Sequence, residues 1–195
     1  MNPSVDPKTA ALLVMDFQTA VVEMFATDKE ARLARTAALI EGARKAGMRV
    51  VYVVVGFRAG YPEVNPSNQV FGPIRASGRF VEGSAGTEVH AALSPKPGDV
   101  VVTKHRVSAF AGTDLEMVLR ANGIDTLVLT GLATSGVVLS TVRHAADADY
   151  RLVVVEDCCG DRDDDVHRTL MEKVFPRQAT VVRSAELVAA LGSAK

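Results

Sequence analysis

The segment Thr126-Leu-Val-Leu-Thr-Gly131, with Leu-Ala-Thr-Ser-Gly-Val-Val and Leu139 to Ala146 after it, constrains the fold more than any other stretch. Its first part is a short apolar, β-branched run that ends in glycine. Beyond the turn, Val138, Val142 and Ala145 fall at helical spacing. The pattern reads as a buried parallel strand, a tight turn and a helix whose first turn points free backbone N–H groups at whatever lies above the strand end. Such a joint suits an anion or a developing oxyanion. Every α/β protein has several such joints, however, and most carry no chemistry.

The same alternation runs along the chain. Residues 10–17 form an apolar strand that ends at Asp16, at the edge of a parallel sheet where α/β folds bind ligands; an Asp there also commonly caps a turn. Gln18 follows and either shares that cleft or is solvated. A helix is expected from Thr27, with Leu33, Ala37 and Ile40 on its buried face and Gly47 as its stop. The strand Met48–Val55 completes a βαβ unit. Residues 56–99 are rich in Gly and Pro, show little periodicity and are too long for an idle connection. Within them Phe57, Arg58, Tyr61, Asn65, Asn68 and Phe71 are either pocket or interface residues, or ordinary loop residues.

The next strand, Asp99–Thr103, ends at Lys104. Its ammonium stands at the same sheet edge as Asp16 if the two strands are parallel neighbours, and a Lys and an Asp converging in a cleft can exchange protons or hold one another charged. Thr113 and Glu116 are spaced as a capping box opening a helix from Asp114 to Ala121, with Gly123 closing it. After the central joint, Tyr150–Glu156 is a fifth strand running into Asp157-Cys158-Cys159-Gly160. The acids Asp161, Asp163, Asp164 and Asp165 start the next helix, which carries His167, Leu170, Met171 and Val174 and stops before Pro176. Ala179–Arg183 is a last strand, and Ser184 caps a terminal helix containing Leu187, Val188 and Leu191. No repeat or linker divides the chain, so residues 1–195 are expected to form one α/β domain. The expected architecture is a doubly wound parallel sheet of about six strands with helices on both faces, in three layers.

Composition narrows the function classes. The net charge of −1 gives no electrostatic case for nucleic acid or an anionic membrane, and no apolar run reaches the length of a bilayer span. The first residues lack the basic and then apolar pattern of a secretory signal. The only two cysteines are adjacent, which argues against a disulfide framework and fits a reducing cytoplasm.

Three strand ends together carry a resemblance: Val-Met-Asp16-Phe-Gln18, Lys104 followed by Ser108-Ala-Phe110, and Gly131-Leu-Ala-Thr134 leading into a helix. In this order and spacing the chain resembles the isochorismatase-like hydrolases, which include nicotinamidases and carbamoyl-amide hydrolases, over nearly its whole length. The resemblance implies a triad of Asp, Lys and Cys in the cysteine-using members. By position these are Asp16 and Lys104, while the nucleophile would sit six residues beyond Gly131, where this chain has Val137. Val has no group able to attack a carbonyl. The resemblance also implies a cis peptide between Leu132 and Ala133, an oxyanion turn of Ala133, Thr134 and Val137, and a homodimer or homotetramer. It implies no cofactor. The metal-binding nicotinamidases place Asp and His after the second strand, whereas here the region reads Gly56-Phe57-Arg58-Ala59 with no His before His90, so no metal is expected. His105 and His144 are scattered rather than set at ligand spacing.

Three functions fit these residues. The first is a hydrolase of a small molecule that forms no thioester, with Asp16 as general acid/base, Lys104 as its partner, and Gln18, Phe57, Arg58 and Ser135 towards the substrate. The second is a non-catalytic small-molecule-binding protein on the same scaffold. The third is an amide hydrolase with a relocated nucleophile. For that role Cys158 and Cys159 are candidates but free Cys is usually buried, Ser135 has no evident His base, and Thr134 more plausibly orders the turn.

Overall fold

The computed structural model describes residues 5–25 and 28–193. In chain order its elements are β1 (Ala10–Met15), α1 (Thr19–Val22), α2 (Lys29–Lys45), β2 (Arg49–Val55), α3 (Gly72–Ser77), β3 (Val100–Lys104), α4 (Leu115–Ala121), β4 (Thr126–Leu132), α5 (Leu139–Asp147), β5 (Arg151–Gly160), α6 (Asp164–Thr169), β6 (Thr180–Val182) and α7 (Ser184–Ser193). The six strands form one sheet in the order β3-β2-β1-β4-β5-β6, and every pair is parallel. This is the doubly wound α/β sheet that the alternating pattern predicts. No helix among the described residues is long and apolar enough to cross a membrane.

Every residue of β1 is buried, because helices cover the sheet on both sides and a strand with two buried faces reads as continuous apolar sequence. Leu12 and Val14 face the core shared with Leu39, Ile40 and Leu187 of α2 and α7. Leu13 and Met15 face the opposite core, with Leu119 and Val142 of α4 and α5. The helix expected from Thr27 is α2; Thr27 itself lies outside the described residues. Its end is built as expected, with Gly47 at φ 77° and the Gly47 N–H donating to the Arg44 carbonyl.

Several boundaries differ from the sequence reading. The capping box is not formed: the Thr113 hydroxyl accepts from the Leu115 N–H at 3.3 Å, but Glu116 turns outward to pair with Arg120 at 3.6 Å. The fifth strand continues well past Glu156. A register shift between Leu129 and Gly131 lets it keep pairing with β4, bringing Cys159 beside Gly131 and Gly160 beside Leu132. The β4–α5 joint is not a simple tight turn, since β4 extends through Leu132 and a wide helical turn, Thr134–Val138, precedes α5. The 56–99 excursion contains α3 and a short 3₁₀ turn at Ala91–Leu93.

Gly131 lets β4 lie against β1 where both strands leave the sheet. A Cβ on Gly131 would stand 3.1 Å from the Met15 carbonyl oxygen and 3.1 Å from Val138 Cγ2. The first of these is backbone in a central strand and cannot swing aside. Gly131→Ala is therefore expected to destabilise the protein by about 1–3 kcal/mol, the range for an overpacked core, read as a lower urea midpoint at unchanged slope.

Candidate active site

Asp16 directly follows β1 with φ 57°, a left-handed conformation that Asp tolerates better than most residues. Its N–H still donates to the Val53 carbonyl at 2.8 Å, so the turn begins while the chain is held to β2. Lys104 is the last residue of β3. The alternation that buries Val102 also turns the Lys104 side chain inward. The two strands are not the neighbours that the sequence reading supposes, for β2 lies between them. The side chains meet above its end, with Lys104 Nζ 3.0 Å from Asp16 Oδ2 and both groups buried. Lys104 also donates to the Arg106 carbonyl at 3.1 Å. Asp16 Oδ1 is enclosed and has no hydrogen-bond partner among the described residues. Burial pushes the Asp16 carboxyl above its ordinary range, and the Lys104 ammonium pulls it part of the way back.

Both side chains line a cavity of about 310 Å³. Its walls are largely apolar: Phe25, Phe71, Ile74 and Phe80, with Val55 and Val107 near the pair. On the β4 side it is bounded by Ala133, Ser135, Gly136 and Val137, and the less buried lining residues Met24, Val70, Asp161 and Arg162 form its mouth. A larger hollow of about 540 Å³ lies beside Thr126, Arg151 and Thr180. That one opens at the amino ends of the strands, away from the edge where parallel sheets place their ligands.

The bounding turn has specific supports. The peptide between Leu132 and Ala133 is cis. The Gly136 and Val138 N–H groups both donate to the Ala133 carbonyl, at 3.2 and 3.3 Å. Asp161 Oδ2 accepts from the Ser135 N–H at 2.6 Å, and His167 Nδ1 lies 2.8 Å from the Thr134 hydroxyl. Asp163, by contrast, caps α6 by accepting from the N–H groups of Asp165 and Val166, the dipole role expected of this acid cluster.

Of the residues singled out in the sequence, Asp16, Lys104, Ala133, Ser135 and Val137 converge on the cavity, and Thr134 stands buried behind it. Gln18, Phe57 and Arg58 do not line it. Gln18 is fully enclosed and ties the excursion to the sheet, with Oε1 accepting from the Val55 N–H and Nε2 donating to the Val55 and Thr87 carbonyls. Phe57 sits in an aromatic cluster with Tyr61, Phe71 and His105, and Arg58 pairs with Glu63 at the surface. His105 contacts the Gly56 carbonyl and His144 stacks on Phe110. Sequence spacing does not mark Phe25 and Phe80, which connections carry to the cavity, nor Asp161 and Arg162, which follow a β5 that runs to Gly160 instead of ending at Glu156. Among the described residues no group of three His, Cys, Asp or Glu side chains is placed to hold a metal ion.

The sheet carries a buried acid–lysine pair beside an apolar cavity at the carboxyl ends of its strands, where α/β folds place their ligands. Residues 10–186 match the isochorismatase domain, and the chain belongs to that family. It is 34% identical over 187 residues to the uncharacterized isochorismatase family protein YecD of Escherichia coli O157:H7, covering 94% of this chain and 97% of that one. It is 36% identical over 169 residues to the ureidoacrylate amidohydrolase RutB of Variovorax paradoxus, covering 76% of this chain and 67% of that one. The N-carbamoylsarcosine amidase structure from Thermoplasma acidophilum superposes with a TM-score of 0.76 at 35% identity, over 90% of this chain and 96% of that one.

The cysteines lie apart from this cavity. Cys158 and Cys159 belong to the two cores on opposite faces of the sheet. Burial pushes the Cys158 thiol up to about 11 and raises Cys159 as well, so neither is a thiolate near neutral pH. Both are expected to resist Ellman's reagent at pH 8 in the native protein and to react fully in denaturant, followed at 412 nm.

Proposed function

We propose that the protein hydrolyses a small organic acid, using Asp16 as general acid/base, Lys104 as its partner and water in place of a side-chain nucleophile. The observation that carries this reading is the buried pair opening on an apolar cavity, with one Asp16 oxygen left without a partner. Asp16 gives its proton to the bond that breaks, and water adds its hydroxyl to the reacting carbon. The proton that water sheds returns to Asp16. Lys104 orients the carboxyl, and the turn N–H groups at Ala133 and Val137 receive developing negative charge.

At position 137 a valine faces the cavity, so no thioester forms there. Neither cysteine lines the cavity, which weighs against a relocated nucleophile. Ser135 does line it, but the nearby His167 ring contacts Thr134 rather than Ser135.

The cavity and its mouth support a substrate class. Arg162 contacts the Met24 sulfur at 3.1 Å and lies over the Phe25 ring at 5.8 Å. Asp161 beside it is occupied with the Ser135 N–H. The Arg162 guanidinium thus offers N–H donors to a carboxylate entering an apolar chamber. Ureidoacrylate and N-carbamoylsarcosine, which name two relatives, are small acids of this kind with an amide-type bond.

The test is a mass-spectrometric screen of purified protein against carboxylated amides, ureas, imides, lactones and vinyl ethers, with Asp16→Asn alongside. Turnover is expected to fall by about 10²–10⁴-fold in the variant, the usual worth of general acid–base catalysis. Equal activity in both proteins sinks the assignment. Saturable binding without turnover on any class favours the second reading, a binding protein, for which the apolar Val137 is the motivating observation.

The pH dependence has a definite sign. Asp16 acts in its protonated form, so activity is present below its raised pKa and is lost as pH rises through it. Lys104→Met removes the charge that pulls this value down, and the descending limb of the kcat/KM profile is expected to move to higher pH. The same substitution leaves a buried carboxyl without its partner and is expected to cost about 3–5 kcal/mol of stability, read from urea unfolding.

A further inference from the structure

The turn that bounds the cavity is held from one side by two groups of the β5–α6 segment. Asp161 takes the Ser135 N–H and His167 meets the Thr134 hydroxyl. Thr134 is 0% exposed, and among the described residues His167 Nδ1 is the hydrogen-bond partner of its hydroxyl. A buried hydroxyl that donates to nothing is costly. The proton is therefore placed: Thr134 Oγ1 donates, Nδ1 accepts, and His167 is neutral with its own proton on Nε2.

We infer that His167 is a positioning residue, holding Thr134 and with it the Ala133–Val137 turn in register only while its Nδ1 carries no proton. Its significance for turnover rests on the proposed function, in which this turn receives negative charge. Protonation puts a donor on Nδ1 facing another donor. The hydroxyl must then rotate to accept, and its own proton is left without an acceptor among the described residues. The Asp161 contact survives, so the β5–α6 segment then holds the turn at Ser135 alone.

The surroundings oppose this protonation on balance. Burial holds the imidazole below its ordinary value of 6.5, and Arg32 from α2 adds to that. The carboxylates of Glu156 on β5, Asp161 in the connecting segment and Asp164 on α6 pull the other way without prevailing. By linkage, the stability held by neutral His167 is intact above the unfolded value and is lost as pH falls through the lowered native one.

The test begins with ¹⁵N–¹H correlation of the imidazole nitrogens in the whole protein. At pH 7.5 the Nε2–H form is expected at His167, with the Ser135 to Val137 amides shifting on acidification at the same midpoint as the ring, below 6.5. His167→Asn puts an acceptor oxygen where Nδ1 lies and is expected to keep the turn amides at their neutral positions throughout. His167→Ala is expected to displace them at every pH. On a substrate found by the Asp16 screen, His167→Ala lowers kcat by up to ~10²-fold with little change in KM, as misplacement of reacting groups does. His167→Asn retains kcat and loses the acid limb due to this ring. An Nδ1–H form at pH 7.5, turn amides that ignore the ring's titration, or an Asn variant indistinguishable from Ala overturns the inference. The tautomer and titration need no turnover and no variant. They decide the role of His167 even if the Asp16 reading fails or a variant does not fold.

Discussion

The contact between Lys104 and Asp16 is the constraint on which the rest of the site depends. Two opposite charges 3.0 Å apart and shielded from water are costly to desolvate and more costly to separate. The pair therefore requires three strands, β1, β2 and β3, to end at matching heights, since the lysine must cross the end of β2 to reach the acid. It also sets the chemistry. Burial raises the carboxyl and the ammonium restrains the rise, so the acid's proton affinity is the balance of two opposed effects.

The opposite wall depends on close backbone approach instead of charge. Gly131 lets β4 run beside Met15, and the bulge in the β4–β5 ladder carries β5 out to Gly160. At Gly160 the Arg32 guanidinium lies over the backbone, 2.7 Å from where a Cβ would stand, but as the end of a flexible side chain it could yield where the Met15 carbonyl could not. This extension delivers Asp161 to Ser135 and Arg162 to the mouth. Charge sets the β1–β3 side of the cavity, and the absence of side-chain bulk sets the β4–β5 side.

What was legible in the sequence reflects how local the physics is. The strands could be read because β-branched runs between helical spacings have few alternatives, and Asp16 and Lys104 because polar residues at the ends of such runs fall at the ligand-binding edge. Glu116 misleads, since the capping spacing is satisfied on paper while the side chain finds Arg120. The length of β5 was hidden because apolarity stops at Val155, whereas pairing continues through a register shift visible only across strands. Asp161 was indistinguishable from its neighbours in the acid cluster, although it serves Ser135 and Asp163 serves α6. Phe57 reads as a pocket residue by its place after β2, but an aromatic there is better buried among other rings.

Gln18 spans the end of β2 and the excursion with three hydrogen bonds, two to Val55 and one to the Thr87 carbonyl. It belongs to neither the acid–lysine pair nor the cavity wall, yet it ties the excursion to the strand end beneath that pair. Amides beside such a tether are expected to exchange with solvent at the rate of the strand end that anchors them, not at that of a free loop. The excursion is thus pinned at Gln18, and the part of the cavity wall it supplies, Phe71, Ile74 and Phe80, rests on a segment anchored to β2 rather than on a free loop.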